Sequence, residues 1–413
     1  MPFRLRHAIS PMLTQATPFV VPQRDAAPPA ASAVRAISEH LAWRYGLTLV
    51  DDGSGLLLLD GARGVRIDGT DSDVATMQRW LRNPLERDGG NPDGTLACPL
   101  DDLERTWLDR HGLNSVPQGQ PATFRVWLSH DIDQLQMSYR LLSWTMTRLR
   151  RGQFREASEL VSNWMAARLR GSNPFWNLDH LLRIEQSCGV RATYFFLHQR
   201  VLGAWWSKAM VPFHYGLYSM SDPAVQQLVR DVHSTGSEIG VHGSLCSARE
   251  PGWLEEEIDL VARCGLDRPH IARQHWLDFD LWDTVDVFAR AGIQLDSSIG
   301  FNAPGWGFRM RTAWPHRLPA ARSDALSSIL HVTPCLQDGA LTHEWRTQID
   351  RLLRVARDRH ATLPVVWHNT AMLPGARGTT SYEWFIERAA EMGATFVVGQ
   401  DLLSCSPVAP LPT

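Results

Sequence analysis

Lysine is almost absent from this chain. It occurs once, at Lys208, among 41 basic side chains, a bias that reflects genome composition rather than a function. Cysteine is sparse and unpaired. The six residues Cys98, Cys188, Cys246, Cys264, Cys335 and Cys405 form no CxxC pair, which argues against a zinc knuckle or a disulfide scaffold and fits a reducing cytoplasm. There is no uninterrupted apolar run of the roughly 18 residues that a spanning helix needs. The opening MPFRLRHAISPMLTQATPFVVPQ has early arginines, but Pro11, Gln15 and Pro18 break its apolar stretch. No cleaved signal is expected from it, so the predicted location is cytoplasmic, with peripheral contact to a membrane left open. Charge of one sign is also lacking. A formal net charge of −3 gives no global attraction to nucleic acid.

What is present is the material of a soluble globular protein. The chain has 413 residues, 44% hydrophobic and 21% charged, enough for two domains. Residues 1–34 end in a Pro- and Ala-rich stretch and read as a flexible arm. Residues 35–120 read as a small accessory α+β domain. SAVRAISEHLAWRYG has helical spacing, GLLLLDGARGVRIDG a hairpin turning at Asp60-Gly61, and DVATMQRWLRN a second helix. From 121 to 413 the pattern becomes strands alternating with helices: RVWLSHDID, ATYFFL, SEIGVHG, IARQHW, IQLDSS, LPVVWHN and ATFVVGQ read as strands. That alternation predicts parallel βαβ units and an α/β barrel.

Barrel chemistry sits at the C-terminal ends of strands, and five of these strands end in polar residues: HDID, HGS, RQH, DSS and WHN. On an extended chain, residues i and i+2 share a face, so Asp131 and Asp133 both reach one mouth. Alone, that pair fits an Asp-rich turn that caps a helix better than it fits a site. Two close carboxylates repel unless a cation or proton relieves them, and His242 supplies an imidazole for such a cation. Arg273 and His275 again share a face, and a buried arginine there needs a carboxylate such as Asp131. Asp296 and His368 end two further strands, and a buried carboxylate beside an imidazole raises its pKa.

These residues, in this order, resemble the polysaccharide deacetylase superfamily, the nodulation-protein type of carbohydrate esterase. The resemblance spans roughly residues 122–404, through SHDID, EIGVHGSLCS, RQHWLDF, LDSSIGF and VVWHN, with GFRMRTAWP resembling the surface-polysaccharide biosynthesis branch. It implies a distorted (β/α) barrel behind the small mixed α+β domain. It also implies Asp131 as general base, Asp133 and His242 as metal ligands, and Arg273 as the group orienting Asp131. The backbone N–H of Trp276 would bind the oxyanion, Asp296 would tune His368, and His368 would protonate the leaving amine. One position departs from the pattern: four residues after His242 stands Cys246 rather than a second histidine, followed by Ser247. His275 is assigned in its place, with Cys246 or Ser247 as rivals.

The implied activity is metal-dependent removal of acetyl groups from N-acetylated amino sugars of a surface polysaccharide or its precursor, with a divalent metal, zinc by preference. A small-amide C–N hydrolase and a non-catalytic carbohydrate-binding relative are the alternatives. Among the 17 tryptophans, Trp276, Trp306 and Trp367 adjoin motifs and are the candidates for stacking on a sugar. Residues 139–171 form a basic helical insertion, fit either to pack on the barrel or to rest on a membrane near a lipid-linked sugar substrate.

Overall fold

The computed structural model describes residues 30–82, 96–136, 145–146, 148–150, 152, 154–198, 218–245, 247–250, 252–281, 283–320, 326–373 and 377–405. Near the amino terminus, β1 (Thr48–Asp51), β2 (Leu56–Asp60) and β3 (Arg63–Arg66) pair antiparallel in that order. Gly61 makes the β2–β3 turn at φ 58°, a conformation that costs a residue without Cβ little. Helices Ala30–Tyr45, Ser72–Arg82 and Pro99–Arg110 bury Ile37, Leu41, Met77 and Leu108 against Leu58 of β2. The first helix begins at Ala30, inside the stretch expected to be a loose arm. Pro99 occupies the first helical turn, where its missing N–H costs no hydrogen bond.

The larger unit is built on β4 (Phe124–Ile132), β5 (Thr193–Leu197), β6 (Glu238–Gly243), β7 (Ile271–Gln274), β8 (Leu295–Asp296), β9 (Leu330–His331), β10 (Leu336–Gln337), β11 (Thr362–Val366) and β12 (Ala394–Val397). Their order is β10-β11-β4-β5-β6-β7-β8-β9, and every pairing is parallel. β12 pairs with the first half of β4, and β5 with its second half. The two ends of this order, β9 and β10, are joined by only the four residues from 332 to 335. The sheet is therefore curled into a barrel that no ladder closes between its end strands, among the described residues. Intervening helices such as Leu178–Cys188 and Pro223–Ser234 make most crossovers, as parallel strands require; β8 passes to β9 without a helix among the described residues.

Period-two alternation decides what points where. On β4, Val126, Leu128 and Ile132 face outward into the main core under the helices, while Trp127 faces inward. The barrel interior is filled by Trp127, Phe195, Ile271, Leu295, Leu330 and Val397. Asp131 stands two pleats above Trp127, so it emerges over that apolar floor. His130 faces the other way: its Nε2 lies 2.7 Å from Glu185 and 3.1 Å from the Tyr382 hydroxyl, on two outer helices. It is part of the packing behind the mouth.

The amino-terminal unit is tied to the barrel by a buried charge cluster. Arg44 donates to Glu104 (2.9 Å), Asp101 (3.0 Å) and the Thr312 hydroxyl (2.5 Å), and the Ala313 N–H donates to Asp101 at 2.8 Å. Glu39 accepts from the Leu326 N–H at 2.8 Å. Thr312 and Ala313 lie in the GFRMRTAWP stretch and Leu326 shortly before β9, so this docking holds the chain that leads into the last strands.

Candidate active site

Three strand ends converge on one side of the mouth. Asp133 follows β4, His242 lies in β6, Arg273 in β7, and His275 begins the short 3-10 turn His275–Leu277 after β7. His242 Nε2 is 3.3 Å from Asp133 Oδ1, His275 Nδ1 is 3.4 Å from the same oxygen, and the two ring nitrogens are 3.1 Å apart. This triangle is the one group of three metal-capable side chains so placed among the described residues. A tetrahedral ion with bonds of ~2.0–2.1 Å would set its ligand atoms about 3.3–3.4 Å apart, so the triangle has the size of one face of such a site. Two further observations fit a cation. Asp133 Oδ1 is buried without a hydrogen-bond partner. His242 Nδ1 donates to the Arg273 carbonyl at 2.9 Å, which leaves Nε2 as the atom offered to the triangle.

His275 thus supplies the third corner of the triangle. It reaches the triangle because the strand ends at Gln274 and the chain turns at once: Trp276 and Leu277 sit at φ 62° and 53°, left-handed values that ordinary residues seldom adopt. Backbone strain of this kind clusters at functional sites. Of the rivals for the third position, Ser247 is fully buried and donates to the Ser244 carbonyl (2.9 Å) and to Gln274 (3.2 Å). Cys246 lies outside the described residues.

Asp131 stands beside the triangle, its Oδ2 at 3.8 Å from His242 Nε2. Its Oδ1 accepts from Arg273 Nη1 at 2.7 Å. Arg273 is completely buried and spends its other donors on the Ser297 carbonyl (3.1 Å) and hydroxyl (3.0 Å). Its guanidinium lies over the Phe195 ring, 4.4 Å from the centroid. A Cβ on Gly240 would come within 2.6 Å of that ring, so glycine there preserves the stack. Burial works to raise the Asp131 pKa, but Arg273, His242 and His368 outweigh it and hold the carboxyl below its ordinary value. Asp133 is held well below the usual carboxylate range, because His275, His242 and His368 overcome the same burial. Burial lowers the His242 pKa less than Asp131 and Asp133 raise it, so the net shift is upward; for His275 burial wins and the shift is downward.

His368 comes from the other side, at the end of β11. Its Nε2 points to the mouth, 3.9 Å from Asp133 Oδ2. Its Nδ1 binds Asp338 Oδ1 at 2.5 Å, and its backbone N–H donates to the same oxygen at 3.0 Å. Burial opposes protonation, but Asp338, Asp133 and Asp131 together raise the His368 pKa to about 10. The carboxylate that tunes His368 is therefore Asp338 and not Asp296. Asp296 lies deeper and is turned to other partners: His331 Nδ1 at 2.9 Å, the Ser298 N–H at 2.9 Å, and the Ser298 hydroxyl. Sequence reasoning passed over Asp338 because β9 and β10 are only two residues long and lie on either side of Pro334. The available signal was CLQDG, where an acid follows a short strand as in the other motifs.

Of the three candidate stacking tryptophans, Trp306 and Trp367 are core residues at 5% and 0% exposure. Trp276 is 45% exposed, with its ring edge-on to His275 at 5.9 Å. Its carbonyl accepts from Asn302 at 3.0 Å, which fixes the strained turn.

No family model matches the chain, and no curated protein matches it. Solved structures share its outline. A Mycobacterium smegmatis protein described as a polysaccharide deacetylase is 16% identical over 68% of this chain and 89% of that one, with a TM-score of 0.41. A family 4 carbohydrate esterase from Streptomyces lividans, solved with acetate, is 14% identical over 70% and 98%, with a TM-score of 0.33. An allantoinase is 11% identical over 70% and 93%, with a TM-score of 0.45. At TM-scores this low the likeness carries no functional argument; the strand ends and side chains carry it.

Proposed function

We propose that this chain is a metal-dependent N-deacetylase. Its substrate would be an N-acetylated amino sugar of a surface polysaccharide or its precursor. The carrying observation is the Asp133–His242–His275 triangle flanked on one side by the Asp131–Arg273 pair and on the other by the His368–Asp338 pair. A divalent cation, zinc by preference for two imidazoles and one carboxylate, would polarise the acetyl carbonyl and acidify water. The remaining work falls to the protein. Asp131, kept ionised by Arg273, takes the proton of the attacking water. The Trp276 backbone N–H, at the strained turn beside His275, is assigned to the developing oxyanion. His368, kept protonated by Asp338, gives a proton to the departing amine nitrogen. Water and the amide become acetate and a free amino sugar, with one base and one acid on opposite sides of the reacting carbon.

His275 in the place of the missing motif histidine favours an active enzyme over a non-catalytic binding relative. The exposed Trp276 ring beside the site suits a sugar better than a small cyclic amide. We propose a cytoplasmic location, in keeping with free thiols at Cys98, Cys188, Cys264, Cys335 and Cys405. No helix among the described residues is long and apolar enough to cross a membrane. The test is metal content of the purified chain together with acetate release from N-acetylglucosamine oligosaccharides and from cyclic amides. About one divalent ion per chain and acetate from the oligosaccharides are expected. Hydrolysis of the cyclic amides alone, or full activity after exhaustive chelation, refutes the proposal.

A further inference from the structure

Helix Phe154–Leu169 carries two adjoining apolar stripes, one buried and one exposed. Ala157, Leu160 and Ala167 are buried against the molecule. Phe154, Val161, Met165 and Leu169 stand in solvent at 67%, 41%, 47% and 84% exposure. Their spacing places them in one stripe along the helix. Met146 and Leu149, just before it, are also exposed. These six are most of the exposed large apolar side chains among the described residues, and such concentration marks an interaction surface.

The surroundings identify the partner. Arg150, Arg155, Arg168 and Arg170 are exposed around the stripe. Between 148 and 170 the sequence carries six arginines and two glutamates, in a chain whose net charge is −3. An apolar stripe bordered by arginine matches the boundary of an anionic bilayer, where acyl chains lie beneath phosphates. It does not match itself: a two-fold pairing of this face would set arginine against arginine.

The face also adjoins the mouth. Immediately after the helix, Asn173 donates to the Leu135 carbonyl at 2.7 Å, and Asn177 to the Asn369 carbonyl at 3.0 Å. Asn369 in turn donates to the carbonyls of Gln134 (2.6 Å) and Phe175 (3.2 Å). Gln134 follows Asp133, and Asn369 follows His368. The foot of the stripe is therefore pinned to the rim of the candidate site.

We infer that helix Phe154–Leu169 seats this protein on an anionic lipid surface and brings the mouth to amino sugars carried on membrane lipids. The lipid contact stands by itself; the identity of the carried substrate rests on the deacetylase reading. The experiment sediments the full chain with vesicles of phosphatidylcholine alone and with about 30% phosphatidylglycerol added. Binding should be roughly tenfold or more stronger to the anionic vesicles and should weaken in about 0.5 M salt. The variant Val161→Ser/Met165→Ser/Leu169→Ser should lose at least roughly tenfold in partition, since it removes the inserted apolar area. Arg168→Glu/Arg170→Glu should remove the preference for anionic lipid. Both variants change exposed positions and should keep the wild-type unfolding temperature and activity on a soluble oligosaccharide; a variant failing that control is replaced by Leu169→Ser alone. Absence of binding, equal binding to both vesicles, or a solution dimer that the serine variant dissociates would overturn the inference. Vesicle binding without any acetate release would leave the lipid contact intact and remove the deacetylase reading.

Discussion

Asp338→Asn isolates the most specific claim about the mouth, that His368 is held as an acid by Asp338. The asparagine keeps shape and volume but removes the charge 2.5 Å from His368 Nδ1. Hydrogen bonds to charged groups contribute roughly 1.5–3 kcal/mol. At about 1.4 kcal/mol per decade, kcat should fall on the order of 10- to 150-fold. KM should change little, because the acid acts in the transition state and not in holding the sugar. The sign of the pH effect follows from the direction of the shift. Burial lowers the His368 pKa, and Asp338, Asp133 and Asp131 carry it from 6.5 to about 10. A general acid works while protonated, so activity is lost as pH rises through its pKa. With Asp338 neutralised, that alkaline limb must move to lower pH. Acetate release at saturating substrate across pH gives both readouts, and combining Asp338→Asn with His368→Ala should cost little more than His368→Ala alone. Asp296→Asn is the control, since Asp296 is bonded to His331 and Ser298. An Asp338→Asn enzyme with wild-type kcat and an unmoved limb, set against an Asp296→Asn enzyme with a shifted limb, would refute the assignment.

Metal analysis should separate the two aspartates: Asp133→Asn and His275→Ala lose bound metal, whereas Asp131→Asn keeps it and loses turnover, and the reverse pattern would exchange their roles. Arg273→Met leaves the buried Asp131 carboxylate without its cation and should cost about 3–5 kcal/mol in denaturant unfolding. Gly240→Ala presses on the Phe195 ring that stacks on Arg273, so it should destabilise by about 1–3 kcal/mol and lower activity without changing metal content. Glu104→Gln removes one carboxylate from the buried Arg44 cluster, and calorimetry should show a lower midpoint for the whole chain rather than for a separate amino-terminal transition.

Local pattern was enough for much of this molecule. Alternating apolar strands and helices determine a parallel barrel, because buried parallel strands and their crossovers leave a signature within each segment. The alternation of a strand determines that Asp131 lies on the face opposite His130, whereas His275 joins Arg273 at the mouth through the turn that follows Gln274. The hairpin at Asp60-Gly61 was equally legible, because a turn is specified by its own residues. Tertiary structure decided the pairings. Asp296 ends β8 and Asp338 follows β10, and nothing local says which of them meets His368. That depends on the strand order, which sets β10 beside β11 and sends β8 and β9 to the far end of the sheet. The same holds for Trp306 and Trp367, whose burial comes from chains far away in sequence. Helix Phe154–Leu169 shows the limit most plainly. Its composition is apolar and basic throughout, and only the packing of Ala157, Leu160 and Ala167 against the barrel determines which apolar side remains for a partner. A sequence records which side chains are available along one strand or helix; which of them meet is determined by contacts between segments that the chain brings together only on folding.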